Sequence, residues 1–283
     1  MAMTSNAIPQ FNFKGRRSPL TLTITILVVL SGVLLSLSGF YADWLWFKSV
    51  AFTSVWTTVL TTKVFLFVIA GLLTSSIILL NIIIAYKRRP LYVPLSIEAD
   101  NLERYRAQIE PIKRWVVLAL AVGLFYFAGT SGSVLWKSWL LFKNSTSFGV
   151  KDPQFNMDIS FFAFKLPFYQ TMIAWAISTF VLSIIAAAVV HYLYGGIRLQ
   201  VREDRTTVAA RVQLSVLLGG VVLMKAVAYW FDRYQLALKE SKLITGLTYT
   251  DVNATLPAKA ILAAIAVVCA LLFFANIIRR SWV

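Results

Sequence analysis

Six stretches of this sequence, at residues 20–40, 57–86, 115–135, 168–193, 212–231 and 258–278, are each strongly apolar and about as long as a bilayer core is thick. A helix needs about 20 mostly apolar residues to cross hydrocarbon. Only structures that satisfy their own backbone N–H and C=O groups persist there. The recurrence of such runs predicts an all-α fold: a polytopic transmembrane helical bundle of about six spans plus short interfacial helices, forming one transmembrane domain over residues 20–278. The composition agrees, with 59% apolar and 14% charged residues against roughly 45–50% apolar in soluble domains. The lipid bilayer is thus the first partner the chain implies.

The connections are short. Residues 1–19 form a polar tail in which Lys14, Arg16 and Arg17 precede the first run. A signal peptide has an apolar core of only about 7–15 residues and a small-residue cleavage site; this run is longer and leads into Phe40, Tyr41, Ala42 and Asp43, so it reads as an uncleaved span. Outer loops fall at 41–56, 136–167 and 232–257, inner loops at 87–114 and 194–211, and a tail at 279–283. The alternation of aromatic and polar residues over 41–52 suits an amphipathic connection in the headgroup region. Lys87, Arg88, Arg89 and Pro90 stop the second span, and Glu103, Arg106 and Glu110 stand at spacings that would let them pair on a surface helix broken near Pro111. The segment DISFFAF at 158–164 alternates as a strand or interfacial segment does. Gly195 and Gly196 end the fourth helix, and Thr255 ahead of Pro257 marks the start of the sixth.

The formal charge of +15 does not point to nucleic acid, because the basic residues sit in short clusters between apolar runs rather than in one patch. Six crossings place both termini on one side, and that side holds 16 of the 27 Lys and Arg residues, against ten on the other and Lys225 within a span. The excess predicts cytoplasmic termini. Cys269 is the single cysteine and forms no intrachain disulfide.

Several segments resemble a known family. GFYADWLWFKSVAFTSVW, FGVKDPQFNMDISFFAFKLPF, HYLYGGIRLQ, LMKAVAYWFDRY and ITGLTYTDVNATLPAKAIL are similar, in the same order and over nearly the whole chain, to the bacterial membrane proteins grouped as uncharacterised protein family (UPF) 0182. The resemblance implies a multi-pass protein of the bacterial cell (cytoplasmic) membrane, and it assigns no reaction. Members of that family continue into a seventh span and a large extracytoplasmic region, so this chain is expected to correspond to the membrane part alone.

Among individual residues Lys225 stands out. A lysine in mid-span costs roughly 2.5–3.5 kcal/mol on insertion scales. Two uses are open: the side chain reaches the outer interface or pairs with Asp232 or Asp43, or it lines a polar path. His191, near the inner end of the fourth span, lacks carboxylates at membrane depth with which to relay protons and reads as an interfacial histidine. The outer carboxylates Asp43, Asp152, Asp158, Asp232, Glu240 and Asp251 match no metal loop and suit turns, helix starts and salt bridges. Trp44, Trp46, Phe47, Trp56, Trp136, Trp139, Tyr229 and Trp230 fit an outer aromatic belt. The strips Ser31/Gly32/Ser36/Gly39, Gly219/Gly220 and Ala260/Ala263/Ala264 read as helix-packing surfaces within one bundle.

No GxSxG, HExxH or GxxxxGK[ST] pattern occurs, so neither a catalytic centre nor a cofactor is expected. Polar character concentrates in the outer loops, which predicts a membrane anchor or scaffold for an extracytoplasmic domain or partner protein. The loops 137–164 and 232–257 are then expected to pack together, with Asp152, Asp158, Tyr249, Asp251 and Asn253 at the docking surface. The competing expectation is a transporter or channel using Lys225.

Overall fold

A computed structural model describes residues 19–90, 97–198, 205–240 and 245–279, so the N-terminal tail and the last four residues lie outside the described residues. The elements are α1 (Pro19–Ser49), α2 (Thr53–Lys87), α3 (Ile97–Ile109), α4 (Lys113–Ser133), α5 (Trp136–Lys143), α6 (Leu166–Leu193), α7 (Val208–Gln235) and α8 (Leu256–Arg279). Among the described residues the only extended pairings are three isolated bridges, 151 with 158, 197 with 206 and 240 with 245. The all-α class therefore holds. Six helical stretches, at 23–49, 53–87, 102–133, 161–193, 208–238 and 251–278, are long and apolar enough to cross a membrane.

Residues 1–60 make one compact unit, in which α1 and the first turns of α2 form a hairpin. The helix runs on through 41–49, which the sequence reading treats as a connection. That stretch contains no Gly or Pro, and continuing the helix satisfies its backbone without water. The reversal is confined to three residues: Ala51 takes φ 61°, and the Phe52 N–H donates to the Phe47 carbonyl at 2.9 Å. The Phe40 ring packs edge-on against Trp56, centroids 4.9 Å apart.

Residues 61–283 make the second unit. Here α7 packs against both α6 and α8, and a core forms from Ala85, Ala187, Leu214 and Leu217 with Phe180 and Ile184 packed around it. Glycines set the closest approaches. A Cβ built on Gly132 would lie 2.4 Å from the Ala70 Cβ, and one on Gly71 2.7 Å from the Phe125 carbonyl, so α2 and α4 meet nearly backbone to backbone. Gly219 and Gly220 seat Phe274 and Phe180 in the same way, as their sequence strip suggests. By contrast, a Cβ on Gly32 or Gly39 would meet nothing within 4 Å.

The distribution of polarity is reversed relative to a soluble protein. Leu80, Val189 and Leu272 lie exposed on the outside, while Ser183, His191, Ser215 and Asn276 are buried. Lipid makes the first arrangement inexpensive, and interhelical hydrogen bonds satisfy much of the second. Trp175 Nε1 donates to Thr74 Oγ1 at 3.0 Å between α6 and α2, and Asn276 Nδ2 donates to Ser215 Oγ at 2.7 Å between α8 and α7.

Two wide turns precede long helices. Residues Phe161–Lys165 and Asp251–Thr255 have π-helical geometry, and each is followed by Leu-Pro, at Leu166-Pro167 and Leu256-Pro257. Proline lacks an N–H and its ring crowds the carbonyl four residues back; an i→i+5 turn accommodates both. Most of DISFFAF is therefore helical, not a strand: its alternation stops at Phe161, where the aromatic-rich turn begins. The helix that contains Pro257 likewise starts earlier than its Thr255-Leu-Pro signal indicates, at Tyr249. Helix α6 ends where Gly195 adopts φ 74° and the Gly196 N–H returns to the His191 carbonyl at 2.6 Å. Thr207 caps α7, its hydroxyl accepting from Ala210 N–H at 3.3 Å.

Candidate functional site

Within the second unit, the end that carries α5 gathers the polar loops. The connection from α5 to α6 is wound around Asp158, whose Oδ1 accepts from the N–H groups of Phe148 (3.1 Å) and Ser160 (2.8 Å). Its Oδ2 accepts from the Gly149 N–H at 3.0 Å and from the Ser147 hydroxyl. Gly149 takes φ 73° at this turn, a conformation that favours glycine. These donors, the Ser147 hydroxyl foremost, hold the Asp158 carboxyl well below its ordinary range. Asp152 organises the tip, accepting from Gln154 N–H at 3.0 Å and Phe155 N–H at 2.7 Å, an aspartate turn of the kind such spacing favours.

The second loop is built on another aspartate. Asp251, 3% exposed, accepts from Lys239 Nζ at 3.2 Å, from the Thr248 hydroxyl at 2.7 Å and from the Thr248 N–H at 3.1 Å. Asn253 Nδ2 donates to the Tyr249 carbonyl at 3.0 Å, while the Tyr249 side chain stands 84% exposed. The α5–α6 loop meets the end of α7 through aromatic rings: Tyr234, in the last turn of α7, lies 5.0 Å from Phe155 and 5.5 Å from Phe161 between centroids. Ser147, Phe155, Tyr234, Lys239 and Thr248 were not singled out from the sequence. The spacing of Thr248 and Asp251, a capping pair, was the one local signal available.

Lys225 lies exposed on α7 and makes no salt bridge among the described residues. Asp232, its expected partner, is engaged by Lys259 at 3.1 Å. Asp232 sits two turns along α7 from Lys225, roughly 10 Å in rise, whereas Lys259 comes from the adjacent first turn of α8. Asp43 is exposed on α1. His191 is 1% exposed, not interfacial in the sense of facing water or headgroups: its Nε2 meets Gln213 Oε1 at 3.0 Å, and its Nδ1 has no partner. Gln213 Nε2 in turn donates to the Asn81 carbonyl at 2.9 Å, so the amide oxygen faces the histidine and the ring proton sits on Nε2.

The opposite end of this unit carries α3. Here Arg106 does not pair with Glu103 or Glu110, because its Nε is taken by the Leu193 carbonyl at 2.5 Å, at the C-terminus of α6. Glu110 instead accepts from Lys113 at 2.5 Å, Tyr86 at 3.1 Å and Tyr194 at 3.3 Å. Burial raises the Tyr194 phenol above its usual value, so it serves as a donor.

Six membrane-length helices, polar groups turned inward and an ordered loop cap define a helical multi-span membrane protein by length and composition. The chain belongs to the family described as uncharacterised protein family UPF0182, which matches residues 20–283. It is 48% identical over 268 residues to the UPF0182 protein of Streptomyces coelicolor, covering 93% of this chain and 27% of that relative. It is 45% identical over 270 residues to the UPF0182 protein of a Nocardioides species, covering 95% and 27%. A Rhodococcus erythropolis relative is 43% identical over 272 residues, covering 94% and 28%. The chain thus spans about a quarter of the length of these relatives. No solved structure matches it.

Proposed function

We propose that this chain is a membrane-embedded scaffold whose α5 end docks an extracytoplasmic domain, in the longer relatives a part of their own sequence. One observation carries the reading. Two loops, each wound on its own aspartate and the first seated on the end of α7 through Phe155 and Tyr234, hold Phe148, Val150 and Tyr249 at 51%, 56% and 84% exposure. Exposed aromatic and aliphatic side chains on a fixed framework bind at low entropic cost. The surplus of basic residues beside the termini supports a cytosolic position for them in a bacterial cytoplasmic membrane, with the docking face outside. The role is structural and not catalytic.

The transport reading rests on Lys225, which lies exposed on α7, a position that favours the scaffold over a buried polar path.

The test is binding of the purified extracytoplasmic region of the Streptomyces coelicolor relative to this chain in nanodiscs. Saturable binding is expected, weakened about tenfold or more by Phe148→Asp together with Tyr249→Asp, a change of about 1.4 kcal/mol. No binding, or binding indifferent to both substitutions, overturns the proposal.

A further inference from the structure

The α3 end holds cations that the fold positions without neutralising. Tyr86 and Tyr194 pack edge to face, centroids 5.1 Å apart. The Arg89 guanidinium lies 4.4 Å from the Tyr86 ring centre and 5.4 Å from that of Tyr194, and the Arg106 guanidinium lies 5.7 Å from Tyr194. Stacking on an aromatic face fixes a guanidinium while leaving its N–H edge for an acceptor. Neither arginine forms a salt bridge among the described residues, and Arg106 Nη2 is buried without a hydrogen-bond partner. Both line a cavity of about 360 Å³ whose wall also includes Glu103, Glu110 and Tyr194.

The two carboxylates do not cancel this charge. Glu110 is engaged by Lys113 and both tyrosine hydroxyls. Glu103 is exposed, outside ion-pair distance of either arginine. The anchored Nε of Arg106 holds its side chain at the carbonyl of Leu193, the last residue of a membrane-length helix, which is the depth of phosphate groups.

We infer that the cleft between α3 and the ends of α2 and α6 binds a phosphate oxyanion through Arg89 and Arg106, presented by the headgroup of an anionic phospholipid. A guanidinium offers paired donors matched to two phosphate oxygens. An incoming phosphate would give both stacked cations the acceptor that the chain withholds. The lipid here is a bound ligand, separate from the solvent bilayer on which the helices depend.

The experiment is native mass spectrometry of the detergent-solubilised chain supplied with phosphatidylglycerol or phosphatidylcholine, with a parallel thermal-shift series in inorganic phosphate. Retention of phosphatidylglycerol over phosphatidylcholine is expected, reduced about tenfold in Arg89→Gln and further in Arg89→Gln with Arg106→Gln, while Lys143→Gln at the opposite end changes nothing. Arg89 forms no salt bridge among the described residues and meets the fold through the faces of Tyr86 and Tyr194, so its variant is checked for an unchanged melting temperature without lipid. Stabilisation by inorganic phosphate that depends on both arginines, without lipid preference, would assign the same oxyanion site to free phosphate and overturn the headgroup assignment. Equal retention of both lipids, which share the phosphodiester, overturns the anionic-headgroup assignment, and retention unaltered in the variants overturns the site itself.

Discussion

Gln213 joins His191 to α2: its Oε1 lies 3.0 Å from His191 Nε2, while its Nε2 donates to the Asn81 carbonyl at 2.9 Å. Replacing it with Leu leaves a buried imidazole with no partner on either nitrogen. Interhelical polar contacts in membranes contribute about 0.6 kcal/mol on average and up to about 1.7. Gln213→Leu should therefore lower stability by about 1–2 kcal/mol in detergent unfolding. Adding His191→Leu should cost less than the sum of the single changes, because the two residues share one interaction.

Gly132→Ala should be far more damaging than its size suggests. Its Cβ would stand 2.4 Å from that of Ala70 and 2.9 Å from the Leu66 carbonyl, so two backbones would have to separate. A loss of about 1–3 kcal/mol is expected from overpacking. Gly39→Ala, with nothing within 4 Å, should be neutral or stabilising by up to about 1 kcal/mol through helix propensity. Thermal denaturation of the two variants side by side checks the contrast.

The loop wound on Asp158 should depend on pH in a defined direction. Its carboxyl is held below the ordinary value by the hydrogen bonds from Ser147 and Ser160, so the charged form favours the folded loop. That contribution is whole above the ordinary carboxylate range, about pH 4, and is lost as pH falls toward the loop's own lower value. Amide protection over 144–160, corrected for intrinsic exchange, should stay level from neutral pH to about pH 5 and then decline. Asp158→Asn should show reduced protection at neutral pH already.

Lys225→Leu should leave the packed bundle unchanged, since the side chain is exposed and makes no salt bridge among the described residues. Insertion of the isolated α7 segment should become more favourable by roughly 3 kcal/mol, the cost of a mid-span lysine plus the gain from leucine. A translocon insertion assay reads this directly; loss of fold stability in the variant would show that the ammonium has a structural partner.

The helical class was legible because length and apolarity are read residue by residue, and span existence does not depend on tertiary contacts. Turn chemistry was legible in places: Gly195 ends α6, and Pro111 lies in the short turn between α3 and α4. What escaped was whatever depends on a neighbour from elsewhere in the chain. Gly71, Gly129 and Gly132 look like isolated glycines until α2 and α4 are brought together. Lys259 becomes the partner of Asp232 only when α8 packs on α7. DISFFAF misled because Asp158, Ile159, Ser160 and Phe161 alternate polar and apolar like a strand for four residues, just ahead of the phenylalanine-rich π turn.

The two π turns ahead of α6 and α8 each hold one residue more than a regular helix would use. The extra residue is absorbed within the turn, so removing a single amino acid from 161–165 would close the ladder as ordinary α-helix with little change of phase, whereas removing one from the regular first turns of α6 would swing everything upstream by about 100° around the axis. Phe155 would then rotate away from Tyr234, and the α5–α6 loop would leave the end of α7 without any of its own residues being altered. Alignment gaps in the first turns of α6 should therefore be rarer among functional relatives than gaps in the exposed loop before it.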